Sequence, residues 1–207
     1  MPAQPDGAER VESHMGSSAA TLDYDAELMV RVKEGDGACF DVLLEKHRSP
    51  VIHFLYRMVQ NRAVAEELAQ EVFLRVYRSR STYEPTAKFT TWLFRIATHL
   101  ALNSLRDRKN DRLQERLNDD SSEGPARQVF DTRPSVEAVM VKEARLEEVR
   151  RAVAGLPEKQ RAAVLMHKYQ EMEYAQIANV LNCSESAVKS LLFRAYETLR
   201  ARLAHMA

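Results

Sequence analysis

Residues 156–203 read LPEKQRAAVLMHKYQEMEYAQIANVLNCSESAVKSLLFRAYETLRARL, with two short helical patterns on either side of a polar break at Asn182-Cys183-Ser184. Ser184 is a suitable N-cap for the second pattern. Apolar residues in both patterns follow helical spacing, which predicts that the two helices pack together. The inward-facing positions are Ala175, Ile177, Ala178, Leu181, Val188, Leu191, Leu192 and Ala195. This arrangement is typical of a helix-turn-helix, whose second helix enters the major groove of DNA.

The second helix of this pair presents small polar and basic side chains on the face opposite its apolar stripe. Hydroxyl, ammonium and guanidinium groups are the usual donors to base edges and phosphates. The candidate DNA contacts are Ser184, Ser186, Lys189, Ser190 and Arg194. The alternative is a helical hairpin whose polar face is simply solvated. The sequence favours the DNA-binding interpretation.

The N-terminal half of the chain is also helical in pattern. Apolar residues recur at three-and-four spacing from Asp25 to about Asp111, and strand-like alternation is scarce. We therefore predict an all-α protein of two small helical domains joined by a flexible linker. The predicted division is a disordered tail at 1–22, a first domain at 23–110, an acidic linker at 111–134 and a second domain at 135–207.

Two helices of the first domain carry polar groups of interest. Asn61 is a predicted N-cap for a helix that runs to about Arg80 and has an acidic outer face, for which a solvated surface is the default interpretation. Thr90 or Thr91 is predicted to cap the next helix, from Trp92 to about Arg108. Its aromatic and basic residues suit single-stranded DNA, although aromatic residues at helical spacing are more often core.

The formal net charge of the chain is zero, but the charges are unevenly distributed along it. Residues 111–149 carry a clear excess of acids, whereas residues 23–110 and 150–207 are mildly basic. Mild positive charge on the helical blocks is compatible with phosphate contacts. The chain total is therefore a poor guide to nucleic-acid binding.

No pattern in the sequence indicates catalysis or a bound cofactor. The histidines lack HExxH spacing, no Gly-rich phosphate loop is present, and Cys39 and Cys183 stand alone. We expect no catalytic residue, no metal site, no cofactor and no enzymatic activity. Because no apolar run is long enough for a bilayer and no secretory signal is visible, we expect a cytoplasmic protein without membrane insertion.

Three segments, in this order, resemble bacterial RNA polymerase sigma factors of the extracytoplasmic-function (ECF) type. AEELAQEVFLRVYR is similar to the region 2 helix that docks on core polymerase, and FTTWLFRIATHLALNSLR is similar to the segment that melts and reads the −10 element. Residues 156–200 resemble region 4, which reads the −35 element. The resemblance covers about residues 24–110 and 135–204.

The resemblance implies roles for the residues singled out above. It implies docking on the clamp helices of the largest polymerase subunit through Glu66, Glu67, Gln70, Glu71 and Arg75. It implies −10 recognition and capture of a flipped base by Lys88, Phe89, Thr90, Thr91, Trp92, Arg95, His99, Asn103 and Arg106. It assigns the helix-turn-helix residues to the −35 element.

The resemblance also implies partners. These are core RNA polymerase, including the flap of its second largest subunit, promoter DNA in duplex and single-stranded form, and an anti-sigma factor that covers the same surfaces. Leu191 and Tyr196 depart from the family pattern, in which arginine is common at those positions. Two alternatives stay open: an ordinary dimeric helix-turn-helix transcriptional regulator, and a helical adaptor protein.

Overall fold

The computed structural model describes residues 23–118 and 136–206. Within those residues the chain forms eight α-helices and no strand, so the predicted all-α class is confirmed. The helices are α1 Tyr24–Lys33, α2 Gly37–Val59, α3 Arg62–Arg78, α4 Phe89–Asn118, α5 Val136–Ala154, α6 Glu158–Tyr169, α7 Tyr174–Leu181 and α8 Glu185–Leu203. They form two groups, α1–α4 and α5–α8.

The helix starts of the first group follow from side-chain caps. The Asp23 carboxylate accepts from the Ala26 N–H and caps α1, and the Asn61 amide oxygen accepts from the Val64 N–H at 3.1 Å and caps α3. The predicted cap at Asn61 is confirmed, and α3 ends at Arg78.

Helix α4 differs from its prediction at both ends. It begins at Phe89 instead of Trp92, because a second oxygen of Asp23 accepts from the Phe89 N–H at 3.0 Å. Neither predicted threonine caps it, and Thr91 is buried within its first turn. The helix continues to Asn118, beyond the boundary predicted at residue 110.

The second group contains the predicted helix-turn-helix. Glu173 and Gln176 form a capping box at the start of α7, Asn182 turns the chain with a left-handed φ of 50°, and Ser184 caps α8 through the Ala187 N–H. The predicted Ser184 cap is confirmed. Ala175 is exposed, contrary to its predicted inward position, because it lies on the outer side of α7.

The two groups pack against each other. Helix α7 lies on α4, and α5 and α6 contact α2. One cluster of buried apolar residues runs through both groups, and it includes Phe54 and Phe94 of the first and Leu165 and Ile177 of the second. Within the described residues, no helix combines the length and hydropathy that crossing a bilayer requires. The predicted tail and most of the predicted linker lie outside the described residues.

Candidate nucleic-acid interface

The outward face of α8 carries all five predicted DNA contacts in exposed positions: Ser184, Ser186, Lys189, Ser190 and Arg194. Among these, Ser190 donates its hydroxyl to the Ser186 carbonyl at 3.0 Å, and Ser184 is occupied as a cap. Neither Lys189 nor Arg194 forms an ion pair with a described residue. The two cations are therefore available for an anionic partner.

Phe193 belongs to the same face, although sequence reasoning did not select it. Its side chain is 68% exposed and, with Lys189, Ser190 and Arg194, it lines a shallow depression on the helix surface. The buried stripe of α8 consists of Val188, Leu192 and Ala195, which leaves Phe193 on the outside. The sequence signal that could have found it is an aromatic residue outside the apolar stripe of its helix. An exposed ring among cations suits contact with a base or a thymine methyl group.

A cluster of aromatic rings underlies the start of α4. The Tyr83 ring lies 4.9 Å from Trp92, and the Phe89 ring lies 5.9 Å from Trp92 and 5.3 Å from His47, measured between centroids. Phe89 is fully buried and Thr91 is 2% exposed. Both were predicted to contact DNA, and both predictions are corrected: packing against the first helices occupies these side chains. Trp92 stays partly exposed.

Tyr83 supports this cluster from the loop between α3 and α4. Burial raises the pKa of Tyr83 to about 12, and the nearby carboxylates of Asp23 and Asp25 act in the same direction. The Tyr83 hydroxyl has no hydrogen-bond partner among the described residues. The ring therefore serves packing, and it holds the inner side of Trp92 in place.

A buried polar pair lies beside the same cluster. His47 Nε2 lies 2.9 Å from a carboxylate oxygen of Asp25, whose other oxygen accepts from Lys46 at 2.6 Å. Burial lowers the pKa of His47, and the hydrogen bond to Asp25 opposes that shift. This network ties α1 to α2 directly below Phe89, so it fixes the platform on which α4 begins.

A cleft of about 230 Å³ opens between α3 and α4 on the outer side of Trp92. It is lined by Arg75, Ser79, Trp92, Arg95, Ile96 and His99. An aromatic edge beside arginine side chains is the combination that binds an unpaired nucleotide, through stacking and phosphate contact. Arg75 also lines this cleft, although it was predicted only as a polymerase contact, because its proximity to α4 is a tertiary feature.

The cleft continues into a polar line along α4. Arg95, His99 and Asn103 follow one another at four-residue spacing and are exposed, and Arg106 follows next on that side. Arg106 donates to the Asn103 side-chain oxygen at 3.2 Å. Lys88 is exposed and Thr90 half-buried at the start of the helix. Seven of the nine predicted −10 residues therefore reach the surface.

The predicted polymerase-binding residues lie along the exposed side of α3. Glu66 pairs with Arg62 at 2.9 Å and Glu71 with Arg75 at 2.7 Å, each one helical turn apart. Exposed pairs of this kind contribute little to stability, so a partner can replace them at low cost. Glu67 and Gln70 are exposed between the two pairs. Leu74 adds an apolar side chain, 48% exposed, on the same helix.

Two family models match the chain in the order that the sequence suggested. Sigma-70 region 2 matches residues 43–111, and Sigma-70, region 4 matches residues 146–199. The first match contains α3 and the exposed line of α4, and the second contains the helix-turn-helix.

Curated relatives are similar over most of their length. The RNA polymerase sigma factor CarQ of Myxococcus xanthus is 31% identical over 179 residues, which cover 86% of this chain and 97% of CarQ. The RNA polymerase sigma-H factor of Pseudomonas aeruginosa is 29% identical over 180 residues, 86% of this chain and 93% of that protein. The ECF RNA polymerase sigma factor SigW of Bacillus subtilis is 28% identical over 187 residues, 86% of this chain and 98% of SigW.

Solved structures show the same fold. CnrH, in complex with the cytosolic domain of CnrY, aligns with a TM-score of 0.64 at 18% identity, covering 88% of this chain and 99% of CnrH. RpoE of Bartonella quintana, in complex with the anti-sigma factor NepR, aligns with a TM-score of 0.61 at 19% identity, covering 80% and 96% of the two chains. With both regions and full-length relatives matched, the chain belongs to the extracytoplasmic-function subfamily of bacterial RNA polymerase sigma factors.

Proposed function

We propose that this sigma factor divides promoter recognition between its two helical groups while it is bound to core RNA polymerase in the cytoplasm. The group α5–α8 reads the −35 element, and the group α1–α4 docks on the polymerase and opens the −10 element. The observation that carries the proposal is the exposure of three separate polar surfaces, on α3, α4 and α8, over one apolar core. The chain itself performs no covalent chemistry.

The −35 contact uses the outward face of α8. Lys189 and Arg194 supply charge to base edges or phosphates, Ser186 and Ser190 supply hydroxyls, and Phe193 supplies an apolar contact. Because this face carries few cations, its binding to DNA releases few counterions, and the DNA affinity should depend only weakly on salt concentration. The −35 element would therefore position the holoenzyme, with part of the binding energy supplied elsewhere.

The −10 contact uses the cleft beside Trp92 and the polar line that follows it. A base that leaves the duplex loses its stacking energy, and an aromatic edge flanked by cations offsets part of that loss. Trp92, Arg95 and His99 line the cleft, and Asn103 and Arg106 extend it along α4. The cleft would hold unpaired bases of the opened strand.

Core docking uses the exposed side of α3. Glu66 and Glu71 would exchange their internal partners for basic residues of the polymerase, and Glu67 would pair there as well, with Gln70 and Arg75 as polar neighbours. The coiled clamp helices of the largest subunit and the flap of the second largest subunit are the proposed partners. An anti-sigma factor that covers these same surfaces would keep the chain inactive.

A charge reversal tests the docking surface. The variant Glu67→Lys/Glu71→Lys should bind core polymerase at least about tenfold more weakly, since two pairs of charge-assisted contacts become repulsive. The matched control is Glu185→Lys/Glu197→Lys, two exposed acids on α8. Fluorescence anisotropy of labelled chains with core polymerase measures both affinities. Equal affinity of the two variants would reject α3 as the docking surface.

A second substitution tests the −35 surface. Replacing Lys189 and Arg194 with alanine should weaken −35-dependent initiation, with each specific contact contributing about 1–3 kcal/mol. The readout is run-off transcription from a functional promoter and from the same promoter with a scrambled −35 element. If the variant and the wild type respond equally to the scrambled element, these residues do not read it.

A further inference from the structure

Arg161 of α6 links the two helical groups through backbone carbonyl groups. One guanidinium nitrogen donates to the Met58 carbonyl in the last turn of α2, at 2.5 Å. The other donates to the carbonyls of Ala154 and Leu156, the latter at 3.1 Å. The side chain is 9% exposed. A single cation therefore caps the C-terminal ends of α2 and α5, which belong to different groups.

The helix ends explain why a buried arginine is tolerated at this position. The last carbonyls of a helix lack partners within the helix and carry partial negative charge, so a cation there is favourable. Burial lowers the pKa of Arg161, and among the described groups Glu158 opposes that shift. The fork geometry of arginine suits two acceptors at once, which lysine could not reproduce. Removing α2 would leave one arm of the fork without its acceptor.

A second contact lies near Arg161 on the same pair of helices. The Arg57 guanidinium, one residue before Met58, lies 4.1 Å from the centroid of the Tyr169 ring at the end of α6. Tyr169 is 52% exposed, so this cation–π contact sits at the rim of the interface. Beyond it, α7 packs along α4. The interface thus has a buried polar centre, a polar rim and an apolar helix pair.

The packed arrangement leaves the three proposed binding surfaces exposed. The residues proposed for core docking on α3 and for −35 contact on α8 are accessible, as is the cleft beside Trp92. The packed interface therefore does not act by covering them. Its effect is on the distance between them.

The spacing of the two promoter elements is larger than the distance that the packed chain can span between its DNA-binding surfaces. Elements named −35 and −10 lie about 25 base pairs apart, which is about 85 Å at 3.4 Å per base pair. Packed helices lie about 8–10 Å apart, and a compact body of this size has a radius of gyration of about 16 Å. A chain with α7 on α4 therefore cannot contact both elements at once. This consequence rests on the proposed function, whereas the interface itself does not.

We propose that Arg161, with the Arg57–Tyr169 contact, forms an interdomain latch that holds the free chain closed, and that core polymerase opens it by binding the two groups at separate points. The latch lowers the apparent affinity for polymerase and promoter, because the intrinsic affinity is multiplied by the fraction of chains that are open. A closed free chain would also be unable to engage both promoter elements in the absence of polymerase.

Single-molecule energy transfer tests the latch in the full-length chain. Dyes are attached through unnatural amino acids at positions 45 and 197, which are exposed and lie in different groups. The wild type should be mainly in the high-transfer closed state. Tyr169→Ala should raise the ratio of open to closed chains about two- to fivefold, as expected for a partly exposed cation–π contact. Arg161→Ala should raise it about tenfold or more.

The matched control is Arg80→Ala, which removes a cation–π contact of the same 4.1 Å distance, with Tyr77, inside the first group. It should leave the ratio unchanged. Far-UV circular dichroism checks that Arg161→Ala keeps its helices, and Tyr169→Ala carries the test if it does not, because the exposed Tyr169 is outside the core. A wild type that is already open, or a Tyr169→Ala chain with the ratio of Arg80→Ala, would overturn the latch.

Added core polymerase separates this inference from the proposed function. It should convert the wild type to the low-transfer open state. If the latch variants behave as expected and the polymerase does not bind at all, the proposed function fails and the latch stands. If the polymerase binds and the chain stays closed, opening by polymerase is refuted.

Discussion

Asp23 is the residue whose replacement tests most sharply the positioning of α4, the helix proposed to open the promoter. One carboxylate oxygen caps α1 through the Ala26 N–H at 2.8 Å, and the other accepts from the Phe89 N–H at 3.0 Å. The second bond joins residues 66 positions apart and begins α4. Asp23 therefore sets the register between the first helix and the one that carries Trp92, Arg95 and His99.

The magnitude follows from counting these two bonds. Loss of an N-cap costs about 1 kcal/mol, and loss of a hydrogen bond to a charged group costs about 1.5–3 kcal/mol. Asp23→Ala should therefore destabilise the first group by about 2.5–4 kcal/mol. Asp23→Asn keeps the oxygen that caps α1 and removes the second acceptor, so it should cost about 1.5–3 kcal/mol. The matched control, Asn61→Ala, loses only the cap of α3 and should cost about 1 kcal/mol.

Urea unfolding monitored by Trp92 fluorescence measures these differences. Trp92 is the only tryptophan of the chain and lies in the aromatic cluster beside Phe89, so its emission reports directly on the packing around the start of α4. The expected order of stability is wild type, Asn61→Ala, Asp23→Asn, Asp23→Ala. If Asp23→Ala costs no more than Asn61→Ala, the bond to Phe89 contributes nothing and the account of how α4 begins is wrong.

Three further predictions concern other parts of the molecule. The folded chain keeps the Tyr83 proton up to a pKa of about 12 while the unfolded chain loses it near 10, so stability should fall as the pH rises through that window. Tyr83→Phe should reduce this pH dependence in urea titrations and leave the smaller part that comes from the raised pKa of Tyr196, whereas an unchanged dependence would assign it to other groups. Phe193→Ala should weaken −35-dependent initiation about fivefold through loss of about 1 kcal/mol of apolar contact, and uracil in place of −35 thymine should impair the wild type more than the variant; equal effects would rule out a methyl contact. A methyl group at Gly155 would lie 2.2 Å from Arg202 Nη1, which donates to the Ala152 carbonyl. Gly155→Ala should therefore lower the free energy of unfolding by about 1 kcal/mol, measured by thermal unfolding, and by less in an Arg202→Ala background. An equal cost in both backgrounds would exclude this clash.

Features governed by local sequence were predictable. Asn61 and Ser184 are short polar residues directly before apolar helical periodicity, and the structure makes both of them caps. The helix-turn-helix was predictable for the same reason, since its two apolar stripes and its left-handed turn at Asn182 are close in sequence. The five candidate contacts on α8 were exposed as expected because they avoid the buried stripe.

Features that depend on distant contacts were not predictable. Thr90 and Thr91 looked like caps, but the partner of the Phe89 N–H comes from Asp23, which no local pattern associates with α4. Phe89 and Thr91 lie within a segment of mixed aromatic and basic residues, and only packing against His47 and Tyr83 decides which of them are buried. The role of Arg161 was invisible because its acceptors are backbone carbonyls, whose positions the sequence does not specify.

The most direct test of the central claim is reconstituted transcription with purified chain and cognate core RNA polymerase. Templates carry promoters from a genomic library, and the transcripts are sequenced at their 5′ ends. The account predicts transcripts from a defined set of promoters that share −35 and −10 elements, that require both chain and core, and that are lost when residues on α3 and α8 are replaced together. An absence of specific transcripts over the whole library, or transcripts that core polymerase makes equally well alone, would contradict it.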